Sequence, residues 1–462
     1  MASRERYDLV VVGAGPFGLA SAYHLRRSRP GATILVLDAR PGPGEGSMSA
    51  SNAMVRDVFS SPDNQLLARN AIAFYRHLME TEESLRTPVP LLDLYGYLWL
   101  LPKSVRASYV DLVARSGGSL DAEPVSLEAL RSCPGLDPAP ARWYEGDGAV
   151  PPPEAIHGGL FGRNCGALAP EMLARYYYES AKDAGVEFEF NACVRRLSFE
   201  GREELLLHPG TGRPFAFQER MKERLRIGRL VLGDGRTVGA EQVVVAAGAW
   251  SESILHPIGF ATGCSPRPQH LYSVSGPAVD ELLGWRAPVV PSGQAHGPGR
   301  MPFMILPTGA ALKPVFRERR IWVECEDSSH PIGTREDPAR DGTLDYDMAR
   351  LADRGSFATD VLPAVTPYLP RFGTPDVRLE SSWGGYYHFS PDGHPVVVAQ
   401  PYGVVFVGGD SGSGIMKADS IGRLVAAVCD GRADAQLFSG ESYRPDRLSL
   451  AHRDLTEETI IL

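Results

Sequence analysis

Apolar runs and glycine punctuation alternate tightly at the start of the chain. Residues 7–12, Tyr-Asp-Leu-Val-Val-Val, are apolar and β-branched and predict a strand buried on both faces. Gly13-Ala14-Gly15-Pro16-Phe17-Gly18 follows at once, and Leu19, Ala20, Ala22, Tyr23 and Leu25 then recur at helical spacing. Arg26, Arg27 and Arg29 gather at the end of that helix, where cations suit its dipole, and Pro30-Gly31 breaks it. Residues 34–37 predict a second buried strand, which ends on Asp38. A similar pattern returns late in the chain: a strand over 404–407, then Gly408, Gly409, Gly412 and Gly414, then a helical run over 421–428. Between these ends, residues 95–101, 304–306 and 321–325 read as sheet strands separated by Gly and Pro, not as βαβ units. There is no internal repeat.

Composition narrows the class. The chain has 462 residues, enough for roughly two to three domains. With 43% hydrophobic and 22% charged residues it is an ordinary globular chain, so wholesale disorder is excluded. The formal net charge of −9, without a basic block, argues against nucleic acid as a partner. The basic residues between Arg220 and Arg229 are interleaved with Glu and read as a solvated face. Residues 201–230 are expected to be an insertion in a β-meander, and 326–350 a mobile surface loop. Six dispersed cysteines with no Cys-x-x-Cys speak against a zinc site or a disulfide framework. No apolar run approaches the about 20 residues of a membrane-spanning helix. The first strand also starts too early to leave room for a signal peptide, so a cytoplasmic location is expected.

The first glycine cluster carries chemistry. Gly13 permits the turn, Gly15 lets backbone amides reach a pyrophosphate, and Gly18 lets helix and strand pack closely. The helix amino terminus adds partial positive charge. Asp38 is placed to accept hydrogen bonds from a ribose. An acid at that strand end disfavours a 2′-phosphate, which leaves NAD or FAD. The small, polar loop over 39–56 either presents hydroxyls and amides to a second phosphate and a flavin ring or is a surface linker. The glycines over 408–414 open a second amide-rich helix start, suited to a carbonyl oxygen that gains charge on flavin reduction, or form a plain β–α turn.

Four stretches resemble the D-amino-acid oxidase superfamily, particularly its sarcosine oxidase and glycine oxidase branch. These are the segment from Asp38 through Ser47 and Ser51 to Arg56, the run from Gln242 to Ser251, the run from Trp383 to Pro395, and the loop from Gly408 to Lys417. The resemblance implies an α/β plus α+β architecture: a Rossmann-type FAD-binding domain (1–85, 150–255 and 380–462) interleaved with an antiparallel-sheet substrate domain (86–149 and 256–379). It implies FAD contacts from Gly13, Gly15, Pro16, Phe17, Gly18, Asp38, Ala39 and Arg40, then from Ser47, Met48, Ser51, Asn52, Val194, Ala247, Gly248 and Trp250. Gly412, Ser413, Gly414, Ile415 and Met416 complete the set.

The implied reaction is oxidation of the C–N bond of an amino acid or secondary amine bearing a carboxylate. Hydride passes to the flavin, an imine forms, and O2 returns the electrons as hydrogen peroxide. Arg56 and Lys417 match the family's carboxylate clamp, Tyr387 a cavity-lining tyrosine, and Lys313 the lysine that activates oxygen; otherwise Lys313 is a surface residue of an edge strand. Arg317, His388, Tyr386, Phe303 and Met304 are candidates for specificity. Gly385 stands where sarcosine oxidases carry the cysteine that anchors the flavin, so non-covalent FAD is expected. Asp410 replaces a family histidine, and an acid there either repels a carboxylate or recruits a second amine. The competing readings are a dehydrogenase that passes electrons to a carrier, a hydroxy-acid enzyme, and a non-catalytic FAD-binding subunit.

Overall fold

The computed structural model describes residues 5–85, 89–118, 120–140, 153–200, 225–288, 300–325 and 357–460. Most of the expected insertion (201–224) and the whole of the expected loop over 326–350 lie outside the described residues. The early glycine unit forms as its pattern predicts. The strand Arg6–Val12 runs into the helix Pro16–Ser28, and Ile34–Leu37 lies parallel beside the first strand. Val10, Val12 and Leu35 pack into one core while Leu9, Val11 and Val36 pack into another, so the run is apolar throughout because both faces are buried.

Two eight-stranded sheets organise the chain. In the first, Glu187–Glu189, Ile34–Leu37, Arg6–Val12, Thr237–Val245 and Val404–Gly408 are parallel neighbours. The strand Thr237–Val245 changes partner along its length. Its start pairs antiparallel with Ile227–Leu232, and its end pairs parallel with Val404–Gly408. Helices Pro16–Ser28, Pro62–Thr81, Pro170–Asp183 and Gly414–Cys429 cover one face. At the crossing of Pro16–Ser28 and Gly414–Cys429, a Cβ on Gly422 would come within 2.6 Å of the Ala20 backbone, so only glycine permits this approach.

The second sheet holds Tyr97–Pro102, Ile156–Gly162, Ser265–Ser275, Ala311–Val315, Arg320–Cys325 and Arg378–Phe389 among its strands. Its pairings are antiparallel save one, Phe303–Ile305 with Tyr97–Pro102, which is parallel. One of its strands lies inside the range 150–255 expected for the FAD-binding domain, and another straddles residue 380. Ile156–Gly162 and all of Arg378–Phe389 hydrogen-bond within this sheet, not the first. A small three-stranded sheet of Met54–Val55, Gly166–Leu168 and Leu92–Asp93 completes the connection.

Candidate functional site

Strand ends and helix starts of the first sheet open onto one cavity. Gly13 has φ +106°, and a Cβ there would lie 2.4 Å from the Ala246 carbonyl oxygen, so the turn and the close approach both require glycine. Gly18 sits beneath it, with its would-be Cβ 1.9 Å from the Gly13 carbonyl oxygen. Gly15 differs: nothing lies within 4 Å of a Cβ there, and the residue faces the cavity. It starts a helix with no side-chain cap and no acid in its first turn, so the first amides are left to an anionic ligand.

Asp38 lines the same cavity. It accepts from the Ala14 amide (2.5 Å) and the Arg40 amide (2.7 Å), and burial raises its carboxyl above the usual range. The Arg40 guanidinium lies 6.0 Å from the Trp250 ring, and its Nη2 is buried without a hydrogen-bond partner among the described residues. An open glycine cradle, an uncapped helix start, an acid and an unsatisfied guanidinium fit the diphosphate and adenosine half of FAD.

At the other end the wall is built by residues 46–54, by Tyr386, Tyr387 and His388, and by residues between Val407 and Ile415. Of the expected cofactor residues, eighteen line the cavity: Gly13, Gly15, Pro16, Phe17, Asp38, Ala39, Arg40, Ser47, Met48, Ser51, Asn52, Val194, Ala247, Gly248, Trp250, Gly412, Gly414 and Ile415. Gly18, Ser413 and Met416 stand behind that wall. Ser413 Oγ donates to the Asp410 carbonyl and accepts from Lys417, and Met416 packs into the helical core.

The expected carboxylate clamp does not face this cavity. Arg56 is buried, donates to the carbonyls of Val58 (3.1 Å) and Ile460 (2.8 Å), and lies over the rings of Phe59 and Trp99. Lys417 is fully buried, donates to Asn64 Oδ1 (2.8 Å) and Ser413 Oγ (2.7 Å), and lies 4.5 Å from the Phe59 ring. The reason lies in helix geometry. Three residues past Gly414, a side chain leans back toward the preceding turn and onto the neighbouring helix Pro62–Thr81. Burial pushes its ammonium down to about 7.

Lys313 lies on an interior strand of the second sheet, between Phe303–Ile305 and Arg320–Cys325, and is buried. The edge-strand alternative therefore falls. Its ammonium donates to the carbonyl of Asn52 and lies 4.4 Å from the Trp322 ring, with its pKa pushed down to about 8 by burial. Asn52 donates in turn to Glu324 Oε2, and the Tyr387 hydroxyl donates to Glu324 Oε1 (2.6 Å). Lys313 and Glu324 thus sit just behind two cavity residues, Asn52 and Tyr387. Glu324 was not among the expected residues; its only trace is a lone carboxylate between Val323 and Cys325 in an otherwise apolar strand.

Two more groups shape this end. His388 is buried, and its Nδ1 accepts from the Gly409 amide (3.2 Å), which puts the proton on Nε2. That Nε2 has no hydrogen-bond partner among the described residues, and burial pushes the ring's pKa down to about 4, so it is neutral near pH 7. Asp410 is partly buried, and its carboxylate accepts from the Gly414 amide at the start of the closing helix. Desolvation pushes its carboxyl up to about 6. Of the specificity candidates, Tyr386 and His388 line the cavity, Phe303 and Met304 are core residues of the second sheet, and Arg317 is exposed in a turn.

Known proteins share the sequence pattern and the fold of this chain. The bovine (Bos taurus) FAD-dependent oxidoreductase domain-containing protein 1 is 25% identical over 441 residues, covering 92% of this chain and 81% of that protein. D-amino acid dehydrogenase of Cereibacter sphaeroides is 26% identical over 476 residues, 95% of this chain and 96% of that one. The fold matches L-proline dehydrogenase from P. horikoshii with a TM-score of 0.65 at 18% identity, covering 98% of this chain and all (100%) of that one. It matches glycine oxidase from Geobacillus kaustophilus with a TM-score of 0.64 at 19% identity, 93% and 96% covered. The model of the FAD-dependent oxidoreductase family (DAO) spans residues 8–428, and the chain belongs to that family.

Proposed function

We propose that this FAD-dependent oxidoreductase oxidises the C–N bond of an amine and returns the electrons to O2. The observation that carries the reading is the far end of the cavity. There, neutral His388 and Tyr387 form the wall, and the buried ammonium of Lys313 lies one hydrogen bond behind Asn52. Relatives named for amino-acid and imino-acid chemistry, such as D-amino acid dehydrogenase and glycine oxidase, support the donor class.

Gly13, Gly15 and the start of helix Pro16–Ser28 would hold the diphosphate of FAD, Asp38 and Arg40 its adenosine side, and Ser47–Asn52 with Gly412–Ile415 its ring. FAD bound there would supply the two-electron acceptor for oxidation of the carbon bearing nitrogen to an imine, with O2 as the final oxidant. No residue needs to break the C–H bond, and positioning supplies much of the rate. Because the Tyr387 hydroxyl donates its proton to Glu324, it would act toward a substrate N–H as an acceptor. Lys313 holds its proton below about pH 8 and stabilises negative charge as O2 takes up electrons.

The test is an anaerobic panel of amines and amino acids scored by loss of flavin absorbance, followed by admission of air and a peroxide assay. Bleaching by an amine with stoichiometric peroxide is expected. Bleaching without peroxide would move the chain to the dehydrogenases. No bleaching by any amine would sink the reading. Lys313→Met is expected to slow reoxidation by on the order of 100-fold (about 2.7 kcal/mol) with reduction unchanged. In the unaltered enzyme reoxidation should fall as pH rises through about 8, because the raised-pH form has lost the ammonium proton.

A further inference from the structure

The charged groups of the cavity are unevenly placed. Among the described residues its lining contains one cation, Arg40, held at the Asp38 end beside Trp250. At the other end the described lining offers one carboxylate, Asp410, and no lysine or arginine. The basic residues nearby spend their hydrogen bonds behind the lining: Arg56 donates to Val58 and Ile460, Lys313 to the Asn52 carbonyl, and Lys417 to Asn64 and Ser413, from where it acts on Asp410 only through space. Asp410 forms no ion pair among the described residues, and its backbone carbonyl is taken by the Ser413 amide and hydroxyl. The loop is pinned, so this acid is not free to swing out. The Ser411 amide donates to the His388 carbonyl (2.9 Å), the Gly409 amide donates to His388 Nδ1 (3.2 Å), and Phe389 bridges to Asp410.

A second observation points to a ligand at the same place. His388, 2% exposed, lines this end with an Nε2 that has no hydrogen-bond partner among the described residues. Its N–H is a donor that calls for an acceptor, which an ammonium is not; being neutral, it still repels a cation less than a guanidinium would. An anionic carboxylate at this end would meet Asp410 directly and pay for two like charges in a low-dielectric site. An ammonium there would gain a charge-assisted hydrogen bond and would draw the Asp410 pKa back toward its ordinary range.

Resting on the amine-oxidation reading, we propose that Asp410 is a specificity-determining residue that pairs with a second, non-reacting ammonium of the substrate, so that the substrate class is a diamine and not an amino acid. Among the described residues the lining of this end holds no counter-charge for the carboxylate that such a family site is expected to clamp and one for an ammonium, while Lys313 and Lys417 lie behind that lining.

Three probes of matched length test this: 1,4-diaminobutane, butylamine and 4-aminobutanoate, which carry at the far end an ammonium, a methyl and a carboxylate. Binding to the FAD-loaded enzyme is read under nitrogen from the perturbation of the oxidised-flavin spectrum, and reduction separately from bleaching. A non-oxidisable bis-quaternary ammonium of the same length supplies a binding signal that no turnover can confuse. The diamine is expected to bind at least about tenfold more tightly than butylamine, with 4-aminobutanoate weakest. Asp410→Asn keeps an acceptor for the Gly414 amide and should bring diamine and monoamine to within about twofold. Tightest binding by 4-aminobutanoate, or an unchanged ranking in Asp410→Asn, would overturn the proposal. If that variant loses its flavin, the ranking on the unaltered enzyme decides alone. Correct ranking with no bleaching by any amine would retire the oxidation reading and keep the recognition; bleaching with the wrong ranking would do the reverse.

Discussion

Two helices begin on the wall of one cavity and are dressed in opposite ways. Pro16–Ser28 starts bare: Gly15 supplies no side chain, and no acid stands in the first turn. Gly414–Cys429 also lacks a side-chain cap at Ser413, yet the Asp410 carboxylate has come in from the preceding loop to accept its first amide. The underlying physics is the same at both ends, a row of amides without acceptors and a partial positive charge. The first end offers that charge to a ligand, and the second has spent part of it on the protein's own anion. Helix starts alone therefore do not say which ligand charge a site accepts; the nearest side chains do.

The contrast breaks most completely at Gly18. In Gly18→Val the new side chain meets the Gly13 carbonyl oxygen 1.9 Å from where its Cβ belongs, backbone that cannot yield cheaply. The purified variant should lose essentially all flavin absorbance; retention of a full complement would contradict the close-packed arrangement. Next comes Asp410→Asn, which makes the second helix start resemble the first. An ordinary carboxyl titrates at 3.8 and this one at about 6, so the folded state holds the extra proton between those values. Stability then falls as pH rises from about 4 to about 6, by at most about 3 kcal/mol. The variant lacks that loss and should resist urea better than the parent at about pH 8 but not at about pH 4. Comparing the two proteins cancels Asp57, whose carboxyl burial also pushes up to about 6. Equal denaturation midpoints at both pH values would refute the shift.

Gly15→Ala is subtler. Nothing lies within 4 Å of the added methyl, so thermal stability of the flavin-free protein should not change, whereas FAD should bind about tenfold more weakly, roughly 1.4 kcal/mol. Isothermal titration with FAD separates the two effects. The smallest change is expected from Lys417→Met, which removes a cation that lies behind the cavity wall and reaches it only through its field on Asp410. The KM for a preferred amine should move by less than about threefold. A large rise in KM with kcat preserved would restore Lys417 as a substrate contact.

Local patterns carried much of this into the sequence. The strand, glycines and helix from Tyr7 to Leu25 are contiguous, so period and punctuation suffice to place Gly13, Gly15 and Asp38 on one wall. The loop motifs 412–415 were readable for the same reason. Side-chain direction was not. Whether residue 415 or 417 faces the cavity depends on the rotation of a helix about its axis, and that is set by packing against Pro62–Thr81. Lys313 is buried because its strand lies inside the sheet, and strand order is not written locally. Glu324 acquires meaning only through Asn52, distant in sequence, and Tyr387. The parallel pairing of Phe303–Ile305 with Tyr97–Pro102 is equally long-range.

The double pairing of Thr237–Val245 bears on how the molecule comes to exist during synthesis. Arg6 to Val12 waits for a neighbour that lies at Gly239 to Val245, and that strand in turn waits for Val404 to Phe406. Contacts so far apart in the chain close slowly, because long loops lose entropy before their ends reward it. The cavity combines Val12 with Ile415, so no partial chain emerging from a ribosome presents it. Capture of the cofactor is therefore a late event, and a low supply of flavin should be felt in cells as a shortage of matured protein rather than as a pool of idle enzyme.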